Sequence, residues 1–162
     1  MDNNDLLIRL RYALDIKNSD MVTIFKLGGI EVSKDEVMLL LTKTPDSEEE
    51  AAETENHTPL DNAMFEIFLN GLITFKRGPK PGQTEAPELS HERANNLLLK
   101  KVKIALQLTT EDIIDIIGLA GVTITKSELG ALLRKEGHKN YMECGDKFAR
   151  NFLKGLAIKY RK

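Results

Sequence analysis

The chain contains one stretch of sequence twice, and no other feature limits its fold so tightly. Sliding residues 95–135 back 92 positions lays them without a gap on residues 3–43, and fifteen of the 41 pairs are identical. Unrelated segments would share roughly two or three, judging from ordinary residue usage. The identities include Asn3, Asn4, Leu6, Leu7, Leu14, Ile24, Leu27, Gly29, Leu40 and Leu41. Further on, Phe68-Leu69-Asn70-Gly71-Leu72 matches Phe152-Leu153-Lys154-Gly155-Leu156 at an offset of 84, so the second copy has a joint eight residues shorter.

Within each copy the apolar residues recur at helical spacing. Leu6, Leu7, Leu10, Ala13 and Leu14 form one stripe, as do Leu98, Leu99, Val102, Ala105 and Leu106, which predicts first helices over 5–16 and about 90–107. The second helices, one over 20–27 and its copy capped by Thr109-Thr110-Glu111-Asp112 and ending at Gly121, are the most apolar; the first, apolar nearly all round, should be the most buried, with the copies packing through these helices. Asn18 or Ser19 is the expected cap of the first of these. Ser33-Lys34-Asp35-Glu36 and Thr125-Lys126-Ser127-Glu128 read as capping boxes that start two third helices.

Thr58-Pro59-Leu60-Asp61 and Asn140-Tyr141-Met142-Glu143 are expected to open the fourth helices, the former with proline at its first position. Their inward residues should be Leu60, Met64, Phe68, Leu69, Leu72 and Phe75, and Phe148, Phe152, Leu153 and Leu156. Gly71 and Gly155 interrupt these helices at one repeat position, at a cost of about 1 kcal/mol each relative to alanine. Close approach of another helix backbone explains both, with the partner repeat as its expected source. The resulting expectation is an all-α protein of two pseudo-symmetric repeats, 1–78 and 90–162. An acidic loop (44–57) interrupts the first repeat, and a Pro/Gly-punctuated linker (79–89) joins the two.

No run of the sequence approaches the ~18 apolar residues of a membrane span. One cysteine among 162 residues excludes an internal disulfide and suits a reducing cytoplasm. Charge is uneven: residues 1–90 carry 9 Lys/Arg against 17 Asp/Glu, and residues 91–162 carry 14 against 8. Lys100, Lys101 and Lys103 on one helix, with Lys154 and Lys159 on the last, could join into a basic strip that touches phosphates without reading sequence. His57, His91 and His138 are scattered, so no metal site or cofactor is expected. Cys144 near His138 suggests a thiol nucleophile only weakly. A cysteine in the first turn of the fourth helix would gain acidity there, but the first copy has Leu60 at that place.

Asn95-Asn96-Leu97-Leu98-Leu99-Lys100-Lys101, His138-Lys139-Asn140-Tyr141, Glu143-Cys144-Gly145-Asp146 and the segment from Arg150 to Leu156 resemble the YehS-like family of bacterial proteins. Phe68 to Ile73 with Lys76-Arg77-Gly78 is similar to the first half of the same family. The resemblance spans nearly the whole chain and implies a duplicated domain of unknown function from a bacterial cytoplasm. It carries no catalytic residue. The function expected is a non-enzymatic module that binds another macromolecule, a protein partner first of all, with regulation as one role open to it. His138, Lys139, Asn140, Cys144, Asp146 and Arg150 form its candidate interaction patch, although capping of the last helix explains the same residues. Nucleic-acid binding by the basic strip is the alternative, and a Cys144 enzyme the least favoured.

Overall fold

The computed structural model describes residues 1–42, 58–79, 82 and 88–161. The described residues form eight helices and no strand. They are α1 (Asn3–Leu14), α2 (Asn18–Gly28), α3 (Lys34–Leu40), α4 (Asn62–Arg77), α5 (Ala94–Ala105), α6 (Thr110–Leu119), α7 (Lys126–Leu133) and α8 (Asp146–Tyr160). The order α1–α4 repeats as α5–α8, as the duplication predicts. The acidic stretch 44–57 and most of the linker lie outside the described residues.

Local chemistry sets the ends of the helices. Asp2, Asp61, Thr109 and Thr125 accept the amide three residues on, and Thr109 and Thr125 form the full reciprocal pair with Asp112 and Glu128. The first copy shows only the serine half of its box, Ser33 accepting from the Glu36 amide. Lys17, not Asn18 or Ser19, occupies the cap position of α2 and supplies no side-chain bond. Both first helices end at equivalent places with a residue of positive φ, Asp15 at 51° just after α1 and Gln107 at 55° two residues beyond α5.

The repeats do not meet through their second helices. Each fourth helix packs on the second helix of its own repeat and on the first helix of the other: α4 on α2 and α5, α8 on α6 and α1. With α1 touching α4 and α5 touching α8, the four helices α1, α8, α5 and α4 close a ring. The second helices flank it. One hydrophobic cluster joins both halves in a single core, running from Leu6, Leu10 and Phe25 through Phe68 and Leu98 to Ile117 and Phe152. The outer position of α2 and α6 leaves Leu27 and Leu119 exposed, 41% and 49%, despite their apolar surroundings in sequence. The buried run Asn96 to Leu99 shows that α5 is the more enclosed element.

The two mid-helix glycines do accept a neighbouring backbone, but from the same repeat. A Cβ on Gly71 would fall on the Ile24 carbonyl oxygen and 2.9 Å from the Gly28 amide nitrogen; one on Gly155 would fall on the Ile116 carbonyl oxygen. Gly28 returns the contact, its absent Cβ leaving room for the Ile67 carbonyl. Beside that seam the rings of Phe25 and Phe68 stand 5.0 Å apart, tilted by 54°, within the range for favourable aromatic pairs. Phe75, expected inward, is 37% exposed, whereas Phe65 and Glu66 are buried. The buried face of α4 is turned and widened because it serves two neighbours.

Candidate interaction groove

Both fourth helices start later than the sequence suggested, for one physical reason. Asn4, in the first turn of α1, is 2% exposed; its Nδ2 donates to the carbonyls of Leu40 (2.8 Å) and Thr58 (2.9 Å), and its Oδ1 accepts from the Leu60 amide (2.9 Å). Asn96 repeats the arrangement: it donates to Leu132 O (3.0 Å) and Met142 O (3.1 Å) and accepts from Cys144 N (3.0 Å). Each amide side chain thus supplies hydrogen bonds that a non-helical segment would otherwise leave unmade. Residues 58–60 and 142–144 are held outside any helix, so the helices begin at Asn62 and Asp146, and Pro59 precedes its helix rather than opening it. This pair of clasps was not anticipated. Its signal was a polar residue, identical in both copies, beside an apolar stripe.

The clasp fixes the character of Cys144. It lies two residues before α8, not in the first turn, and is 2% exposed. Burial pushes its thiol up to about 12, so it is protonated at neutral pH. The rest of the candidate patch divides. His138, Lys139 and Asn140 are exposed on the joint; His138 Nδ1 accepts from the Asn140 amide (3.1 Å), and Asn140 O accepts from Arg134 (3.3 Å). Asp146, the first residue of α8, accepts from Asn95 Nδ2 (2.9 Å) and the Met1 amine (3.2 Å). The Asn95 bond and then that amine hold its carboxyl below the usual carboxylate range. Arg150, one turn further along, points elsewhere.

The basic strip also divides. Lys100 is tied to Glu92 at 2.6 Å. Burial raises the Glu92 carboxyl, but Lys100 and the Glu136 amide outweigh it and hold the group below its ordinary value. Lys101 and Lys103 stay part-exposed on α5, and Lys159 lies 5.6 Å from the Tyr160 ring. Lys154 joins Arg150 in a different setting.

That setting is a groove of about 460 Å³ between α1 and α8, lined by Ile8, Arg9, Tyr12, Arg150, Asn151, Leu153, Lys154 and Ala157. It combines an apolar floor with three cations and no acid. At its far end Arg161 lies 4.0 Å from the Tyr12 ring centre and donates to Tyr12 O (3.0 Å) and Asp15 Oδ1 (3.1 Å), so the nearby carboxylate is already engaged. Size and composition match those of ligand-binding clefts. Among the described residues, no three His, Cys, Asp or Glu side chains converge to hold a metal, and no helix is long and apolar enough to cross a membrane.

Fold and groove together define a duplicated all-helical protein with a cationic cleft at one of its two inter-repeat junctions. The chain belongs to the family described as "Protein of unknown function (DUF1456)", whose model matches residues 3–78 and 95–162, one segment in each repeat. It is 38% identical over 161 residues to the uncharacterized protein YehS of Escherichia coli (strain K12), covering 98% of this chain and 96% of that protein. No solved structure matches it.

Proposed function

We propose that this protein is a non-enzymatic, cytoplasmic interaction module that engages a protein partner through the α1/α8 groove. The observation that carries the reading is the convergence of Arg9, Arg150 and Lys154 around an apolar floor. Apolar contact supplies binding energy there, and the cations select an anionic partner. The protonated, enclosed state of Cys144 supports binding over thiol chemistry. Site-directed photo-crosslinking in the source cell tests the reading, with the crosslinker at Asn151 in the groove or at exposed Lys135, which does not line it. A discrete protein adduct at position 151 alone is expected. Identical adducts at both positions, or none at 151, refute the groove as the contact.

Nucleic-acid binding is the second reading, supported by the 14 cations against 8 acids of residues 91–162. It predicts that labelled duplex DNA binds at ~50 mM salt, where phosphate contacts are strongest, and dissociates steeply as salt rises. Absence of binding at low salt ends it.

A further inference from the structure

We propose, building on the interaction reading above, that the α1/α8 groove seats a short extended segment of the partner in which an apolar side chain is flanked by carboxylates. The internal repeat supports this. At the α4/α5 junction the corresponding place is occupied by the chain itself. Glu66, 1% exposed, accepts from the backbone amides of Ser90 (2.7 Å) and His91 (3.2 Å), and Glu92 of the same segment pairs with Lys100. The offsets of 84 and 92 map Glu66 onto Arg150 and Lys100 onto Ile8, two residues of the groove wall. The scaffold therefore holds a peptide segment at one junction and presents an open cleft at the other.

The chemistry of the cleft is inverted relative to its filled counterpart. Glu66 offers only acceptors and takes backbone N–H groups. Arg150 offers only donors, so what it takes must be an acceptor, such as a carboxylate, carbonyl or phosphate oxygen. Buried Asn70 becomes exposed Lys154, and Ile73 becomes Ala157; the first change adds a cation to the rim and the second removes side-chain volume from the floor. Arg9 keeps the charge of its counterpart Lys101. Asp15, which Arg161 reaches beside Tyr12, and Asp146, one turn before Arg150, already have partners in Arg161 and Asn95.

Length narrows the occupant further. From Arg150 to Ala157 α8 rises about 10 Å, room for about three residues of extended chain. One apolar side chain on the floor formed with Tyr12 and Leu153, with an acidic residue on each side, satisfies both length and charge.

The test is fluorescence anisotropy on the full chain, with a labelled synthetic peptide bearing one leucine between glutamates. A matched peptide carries lysine in place of glutamate, and dodecanoate and duplex DNA serve as competitors. The glutamate peptide should bind wild type and weaken at least about tenfold in R150E/K154E, the loss expected of two reversed rim charges. Arg150 and Lys154 are exposed, so the variant should keep its melting curve. The lysine peptide should prefer R150E/K154E over wild type, a swap that structural damage cannot produce. Equal binding of the glutamate peptide to both forms overturns the proposal. So does a groove that takes dodecanoate or DNA while ignoring the peptide. A partner that crosslinks at Asn151 but binds R150E/K154E undiminished leaves the interaction module standing and removes the acidic segment.

Discussion

Replacing Asn96 with alanine should be among the most damaging single changes in this protein, although it removes no apolar contact. The side chain is fully buried and makes three hydrogen bonds of 3.0–3.1 Å, to Leu132 O, Met142 O and Cys144 N. A buried hydrogen bond contributes about 1 kcal/mol net, and each abandoned partner adds its own desolvation cost of about 1–3 kcal/mol where water cannot reach it. Partial relaxation of 142–144 towards solvent recovers some of that, which leaves a loss of about 3–5 kcal/mol. For a chain of this size the melting temperature should fall by about 10 °C or more. Urea unfolding followed by circular dichroism gives the free energy, and native-state hydrogen exchange shows whether the Cys144 amide has lost its protection. Asn4→Ala should cost a similar amount, because its three bonds are 2.8–2.9 Å long and reach the equivalent atoms. Asn95→Ala, half-exposed and next in sequence, should cost under about 1 kcal/mol. If Asn96→Ala lies within about 0.5 kcal/mol of wild type, the clasp does not hold the joint and the account of the late helix starts is wrong.

Three more outcomes follow from the packing and burial of single residues. Gly155→Ala should destabilise by more than about 2 kcal/mol, since one methyl meets the Ile116 backbone, whereas Gly118→Ala on open surface should stabilise by up to about 1 kcal/mol; thermal melts of both variants check the contrast. Cys144, with its thiol near 12, should resist iodoacetamide at pH 8 in the native protein and react once urea unfolds it; fast native labelling would contradict its burial. Asp146 has a depressed pKa in the folded state, so its contribution is complete above the unfolded carboxylate pKa of about 3.9 and is lost as pH falls through the lowered folded value. Asp146→Asn should therefore flatten the acid limb of the stability profile, read as urea midpoints between pH 2 and 6.

The sequence was a good guide wherever structure follows from short-range chemistry. The amphipathic stripes of α1 and α5 and the caps at Ser33, Thr109 and Thr125 involve residues within a turn or two of one another. Gly71 and Gly155 also announced a close backbone, although not whose. The candidate patch read less well. Residues 138–150 are continuous in sequence, yet the Asn96 clasp buries Cys144, leaves His138 on the joint and sends Arg150 to a cleft shared with Arg9. The last two are 141 positions apart.

Duplication and helical periodicity, both carried by the sequence alone, determined that the chain is all-helical, built of two repeats, with eight helices near their observed places. Tertiary structure alone decided that the repeats exchange partners, each fourth helix lying on the first helix of the other half. It also decided that the Glu66 side of this pseudo-symmetric arrangement is filled by the chain itself, while the Arg150 side is an open cleft. Periodicity says which face of a helix is apolar, but both a neighbour in the same repeat and one in the other repeat can cover that face. Only the packing of all the helices at once, with Gly71 and Gly155 letting α4 and α8 sit close on α2 and α6, selects between them.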